Sequence, residues 1–120
     1  MDSITKQIIC CAYNIGNTLG HGFLEKVYEN ALAHELSKSK LKVEQQRLIK
    51  VIYDGVVVGD YTADFLVEEK VIVELKAVSE INDIHMSQCM NYLKATGLKV
   101  CLLINFGKPK VEIKRIVHNF

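Results

Sequence analysis

The sequence predicts a mixed α/β fold with elements in the order ααβββαββ, in which an antiparallel meander of three strands leads through a crossover helix into a parallel strand. Three observations carry this reading. Two stretches with helical apolar spacing open the chain, three β-branched runs broken by short polar turns follow, and a helical segment then stands between two strand-like runs with almost no loop on either side. A helix that joins two strands in this way covers one face of a sheet and makes their pairing parallel.

From Ser3 to Leu19, apolar residues recur at Ile4, Ile8, Cys11, Ile15 and Leu19, the three-to-four spacing of an amphipathic helix. Gly20-His21-Gly22 ends it, because glycine tolerates the positive φ that a sharp turn needs, and a second helix is expected from Phe23 with Leu24, Val27, Tyr28, Ala31, Leu32 and Leu36 as its buried stripe. The runs Val43–Tyr53, Val56–Val67 and Val71–Lys76 read as strands. Asp54-Gly55 is a two-residue hairpin signal and Glu68-Glu69-Lys70 a polar turn, so the three strands form a meander. Asn82 or Asp83 caps a helix that runs to Thr96, where Gly97 supplies the left-handed C-terminal residue. Val100–Ile104 follows as a strand parallel to Val71–Lys76 through a right-handed crossover, and after Gly107-Lys108-Pro109 a last strand covers Val111–Val117.

At 120 residues, 49% apolar and 24% charged, the chain has the size of one hydrophobic core, and a single domain spanning 1–120 is expected. A net charge of +1 argues against a protein that holds nucleic acid by bulk electrostatics. Lys108, Lys110, Lys114 and Arg115 form a local basic group, read either as a phosphate contact or as a solvated strand face, the second being the commoner cause of such spacing. Cys10, Cys11, Cys89 and Cys101 have neither zinc-site nor disulfide-framework spacing and read as reduced, small apolar residues. No secretory leader and no apolar stretch of membrane-spanning length is present, so a cytoplasmic location without membrane contact is the expectation.

The chemistry-bearing residues centre on Glu74-Leu75-Lys76. Side chains alternate across a strand, so Glu74 and Lys76 share one face while Leu75 takes the other. A three-residue loop at 68–70 sets Asp64 directly across from Glu74. Two carboxylates so placed repel each other unless a cation lies between them, and hard oxygen donors favour magnesium or manganese. Glu-x-Lys on a solvent-facing strand is the bland alternative. Glu25, which shares a helix face with Tyr28 and Leu32, reads either as an inward-pointing acid or as a first-turn residue that suits the helix dipole. Gln88 and Tyr92 stand four apart on the crossover helix, with His85 on the same stripe, beside the apolar stripe of Met86, Cys89 and Leu93. This polar edge either satisfies itself and solvent or orients Lys76 and a phosphate, and His85 is a candidate proton carrier.

These residues together resemble a known family. Gly22-x-x-Glu25-x-x-Tyr28 is similar to the signature of the GxxExxY proteins, a branch of the PD-(D/E)XK nuclease superfamily, and Asp64, Glu74-x-Lys76 and Gln88-x-x-x-Tyr92 follow in that branch's order. Supporting phrases are Tyr61-Thr62-Ala63-Asp64, Asn91-Tyr92-Leu93-Lys94 and Ile104-Asn105-Phe106-Gly107, and the likeness covers nearly the whole chain. Ala63 stands where the superfamily's eponymous proline would be.

The resemblance implies a restriction-endonuclease-like mixed sheet and metal-dependent hydrolysis of nucleic-acid phosphodiesters. Asp64, Glu74 and Glu25 would hold magnesium or manganese, Lys76 would act on the attacking water, and Gln88, Tyr92, Tyr28 and His85 would bind or orient substrate. The alternative is a catalytically silent nucleic-acid- or protein-binding domain on the same fold. A homodimer is compatible with the sequence, which does not fix the number of chains or choose between DNA and RNA.

Overall fold

The computed structural model describes residues 2–119. Its elements are α1 (Asp2–Leu19), α2 (Glu25–Lys38), β1 (Val43–Tyr53), β2 (Val56–Val67), β3 (Val71–Lys76), α3 (Asp83–Thr96), β4 (Val100–Asn105) and β5 (Glu112–Val117). The five strands form one sheet in the order β1-β2-β3-β4-β5, antiparallel throughout except for the parallel pair β3 and β4. The fold class and element order are those expected from the sequence.

Local chemistry explains the joints. Asp54 and Gly55 both take positive φ, 53° and 75°, as a tight hairpin turn that follows the strand twist requires. Residues 68–70 form the expected three-residue turn, since Val67 pairs with Val71 and the Lys70 N–H donates to the Val67 carbonyl. Asn82 caps α3: its side-chain oxygen accepts from the His85 N–H, and its own N–H donates to His85 Nδ1. Gly97 ends the helix in the left-handed conformation.

Each face of the sheet is covered by helices. On one, Ile8, Cys11 and Ile15 of α1 and Tyr28, Leu32 and Leu36 of α2 pack over Phe65, Val67, Val73, Leu75 and Leu102. On the other, Cys89, Tyr92 and Leu93 of α3 pack over Ile49, Ala63, Ile72, Cys101 and Leu103. Leu75 thus faces away from the side that carries Glu74 and Lys76, as strand alternation demands.

Several boundaries and burials differ from expectation. Helix α2 begins at Glu25 rather than Phe23, and Leu24, its extended N-cap residue, is 80% exposed. Val27 is exposed because it lies across the helix from Tyr28, Leu32 and Leu36, and the position that joins these on the inner face is Glu29. Leu19, at the end of α1, is exposed rather than buried. Strand β4 runs one residue further than expected, to Asn105, and β5 starts one residue later, at Glu112.

The basic group near the C-terminus is divided. Arg115 pairs with Asp2 of α1 at 3.6 Å and Lys108 with Glu112 at 3.7 Å. Lys114 and Arg115, adjacent on a strand, point to opposite faces. The solvated-face reading fits this arrangement.

Candidate active site

The site lies where β2 loses its pairing with β3. Backbone pairing stops at Phe65 and Val73, and beyond it the carboxylates take over. The Asp64 N–H donates to Glu74 Oε1 at 2.8 Å, and the Leu75 N–H donates to Asp64 Oδ2 at 2.8 Å. The two acids are therefore neighbours across the strands, as the turn length implied, and each is oriented by the other strand's backbone.

The same place marks a switch of faces. Ala63 and Phe65, two apart on one strand, should share a face, yet Phe65 joins the α1 and α2 side and Ala63 the α3 side. Opposite Asp64 in the register stands Gln46, which is left out of the β1–β2 pairing and has a φ of 56°. A left-handed residue other than glycine inside a strand stores strain of about 1–3 kcal/mol, and surrounding contacts must hold it there. Here the Gln46 amide donates to Glu29 Oε2 at 3.0 Å and to Asp64 Oδ1 at 3.4 Å. The twist at Gln46 turns the outer half of β1–β2 toward α3.

Glu29 anchors this arrangement. It is 5% exposed and accepts hydrogen bonds from Lys26, Gln45 and Gln46. Burial alone would raise its pKa, but the three donors together hold it below the ordinary carboxylate value. Sequence reasoning missed both Glu29 and Gln46. Glu29 continues the inner stripe of Leu32 and Leu36 at three- and seven-residue spacing, and the consecutive Gln45-Gln46 breaks the apolar pattern of β1.

The charges meet at the end of β3. Burial first, and then repulsion by Asp64, push Glu74 up to about 8, with Lys76 opposing weakly. Asp64 is also raised, chiefly by burial, against the stabilising N–H of Leu75. Glu25 stands one turn before Glu29 on α2 and is exposed to solvent. Desolvation raises its pKa, Lys76 lowers it, and Asp64 and Glu29 raise it, so it lies within the field of the acid pair and the lysine. Among the described residues no three Asp, Glu, His or Cys side chains converge as a ready-made cage. The hard oxygens of Asp64 and Glu74 nevertheless fit a divalent cation: a mutually repelling acid pair of which Glu74 is buried and Asp64 half-buried gains from one, and magnesium is commonly held by one or two carboxylates with water and phosphate completing its shell.

The remaining expected residues divide by whether they border a cavity beside Lys76. Gln88 donates to the Tyr92 hydroxyl at 3.0 Å, and both border a cavity of about 570 Å³ that also touches Lys76 and His85. Burial raises the Tyr92 pKa, and Glu74 and Asp64 raise it further, so the phenol stays protonated. His85 uses Nδ1 in the α3 cap, which leaves its other ring nitrogen for the cavity. Tyr28 stands apart from that cavity: it is fully buried, donates to the Gly20 carbonyl at 2.6 Å, accepts from the Phe23 N–H, and stacks on Phe106 with ring centroids 4.6 Å apart. It locks the α1–α2 turn and so fixes where the first turn of α2, with Glu25, stands.

Asn105, also fully buried, holds the segment after Lys76. Its Oδ1 accepts from the Val78 and Gly107 N–H groups, and its Nδ2 donates to the Val78 carbonyl. The two backbones approach so closely that a Cβ on Gly107 would lie 2.3 Å from Val78 atoms.

The mixed sheet, with α1 and α2 on one face and α3 on the other, is a nuclease-type α/β fold. It superposes on an alkaline exonuclease from Laribacter hongkongensis with a TM-score of 0.58 at 15% identity, over 78% of this chain and 56% of that one. It also superposes on SSO0001 with a TM-score of 0.61 at 15% identity, over 99% of this chain and 60% of that one. The chain thus spans little more than half of these solved structures. A family model matches residues 2–116, and the chain belongs to the PD-(D/E)XK nuclease superfamily. No curated protein matches it. Among the described residues no helix is long and apolar enough to cross a membrane.

Proposed function

We propose that this chain is a metal-dependent nuclease of the GxxExxY branch that hydrolyses phosphodiester bonds of nucleic acid. The observation that carries the reading is the reciprocal hold of Asp64 and Glu74 on each other's strands, with Lys76 on the Glu74 face two residues further on. A stability-driven sheet has no reason to set a buried glutamate against a half-buried aspartate where an ordinary backbone ladder would serve.

Asp64 and Glu74 would hold magnesium or manganese, with Glu25 adding a third negative charge to the field there. A bound divalent cation supplies Lewis-acid polarisation of a phosphate oxygen and neutralises charge on the substrate. Lys76 positions the attacking water and offsets the negative charge that develops on the phosphorane-like transition state. Gln88 and the protonated Tyr92 orient the phosphate from α3, and His85 presents a ring N–H at the same edge. Gln46 and Glu29 keep Asp64 in place.

The test is a cleavage assay on single- and double-stranded DNA and RNA with magnesium or manganese, run beside Lys76→Ala and Glu74→Ala purified identically. Wild-type cleavage that both variants lose supports the assignment. Cleavage that persists in either variant refutes it, and no cleavage by wild type favours a binding domain on the same fold.

A further inference from the structure

The α3 side of the sheet carries two cavities that form one feature. The first, about 570 Å³, runs from Lys76 and Gln88 past Tyr61 and Tyr92 to Ala95. The second, about 560 Å³, continues from Ala95 to Leu98, over a floor of Ile49, Leu66 and Ile72 with Arg47 beside it. Ala95 borders both, so together they make a trough along α3, one end of which opens at Lys76. Its far wall is the outer half of β1–β2, which the turn at Gln46 sends toward α3.

The chemistry of this trough is aromatic and apolar more than cationic. Tyr61 is 52% exposed, and its ring lies 6.0 Å from that of Tyr92 at an angle of 53°, so part of the Tyr61 ring remains open to a ligand. Arg47 is paired with Glu44 and Glu69 with Lys42, which leaves Lys50 and Lys76 as the lysines of the trough with Asp83 as an opposing charge, and the chain carries a net charge of only +1. A duplex presents its phosphates outward and keeps base faces stacked inside, so this surface has little to grip on it. A single strand offers base faces, which stack on tyrosine whatever the sequence.

We propose that the trough is the track of a single polynucleotide strand, with Tyr61 stacking the base next to the phosphate that reaches Lys76. This rests on the nuclease reading and adds to it the strandedness of the substrate, the path it takes, and a positioning residue that the chemistry itself does not require.

The experiment is fluorescence anisotropy in chelator, where metal-dependent cleavage is silent, using labelled oligo(dT) and a blunt DNA duplex of the same length. Wild type, Tyr61→Ala and Tyr61→Phe are compared. Wild type is expected to bind the single strand more tightly than the duplex, Tyr61→Ala to lose about ten-fold or more in affinity, and Tyr61→Phe to stay within about two-fold, because the stacking ring is retained. Since Tyr61 is half-exposed, the thermal midpoint of Tyr61→Ala should match wild type, which separates lost binding from lost folding. Equal or tighter duplex binding, a Tyr61→Ala affinity equal to wild type, a Tyr61→Phe affinity as low as that of alanine, or no binding at all would each overturn the proposal. Binding is read without metal, so failure of the cleavage assignment leaves this result standing and the two failures are told apart.

Discussion

The two halves of β2 look alike in sequence and behave oppositely in the fold. Phe65, Leu66 and Val67 are buried, with helices on either side, whereas Val56, Val57, Val58 and Tyr61 are all more than half exposed. Both halves are rich in β-branched and aromatic residues, so strand propensity does not distinguish them. What does is how much helix lies over them: inside Asp64 and its opposite number Gln46 both faces are covered, just beyond them α3 alone continues over Ala63 and Ile49, and Val56–Val58 have no cover. The lesson is that the candidate site occupies the junction between a packed sheet and an uncovered arm, where backbone pairing lapses and carboxylates can take its place.

The largest expected effect falls on the junction itself. Lys76→Met should lower cleavage by about two orders of magnitude or more, the scale seen when one donor to a developing anion is removed. A single-turnover assay checks it, and a melt shows whether folding is kept, as expected for a half-buried residue at the end of a strand.

The packed and uncovered halves should next separate in stability. Phe65→Ala ought to cost about 3–5 kcal/mol, through lost burial and the cavity left behind. Val57→Thr on the arm should stay within about 0.5 kcal/mol, as surface substitutions do. Urea denaturation of both variants measures this, and similar losses would break the distinction between the halves.

The acid pair gives a pH signature. Glu74 titrates near 8 in the folded protein, well above its ordinary value, so between those values the folded state binds the extra proton. Stability from this group is full below the unfolded pKa and is lost as pH rises through about 8. The metal-free thermal midpoint should therefore fall across that window, Glu74→Gln should flatten the fall, and added magnesium should oppose it by competing with the proton.

The smallest effect concerns the strained residue. Gln46→Gly and Gln46→Ala both lose the amide that reaches Asp64 and Glu29, so both should cleave more slowly by a similar factor. Only glycine relieves the positive φ, so Gln46→Gly should be the more stable by about 1 kcal/mol in a denaturant titration.

Much of this was legible in the residues. The periodicities, Asp54-Gly55 and the three polar residues at 68–70 defined the meander and its register, and the register alone set Asp64 beside Glu74. The helical segment between two strands implied their parallel pairing. What stayed hidden depended on tertiary packing. Glu29 reads as a solvated helix acid until Gln45 and Gln46 are known to point at it, and the face switch at Gln46 is a backbone event that no period-two pattern encodes. Leu24 and Val27 look like core by composition, and they are exposed because α2 starts late and turns Tyr28 and Glu29 inward instead.

The most direct test of the central claim is calorimetric titration of manganese into wild type, Asp64→Asn and Glu74→Gln at a pH above the Glu74 titration. One binding event is expected in wild type, and both substitutions should abolish or severely weaken it. An absence of binding in wild type, or the same isotherm in all three proteins, would contradict it.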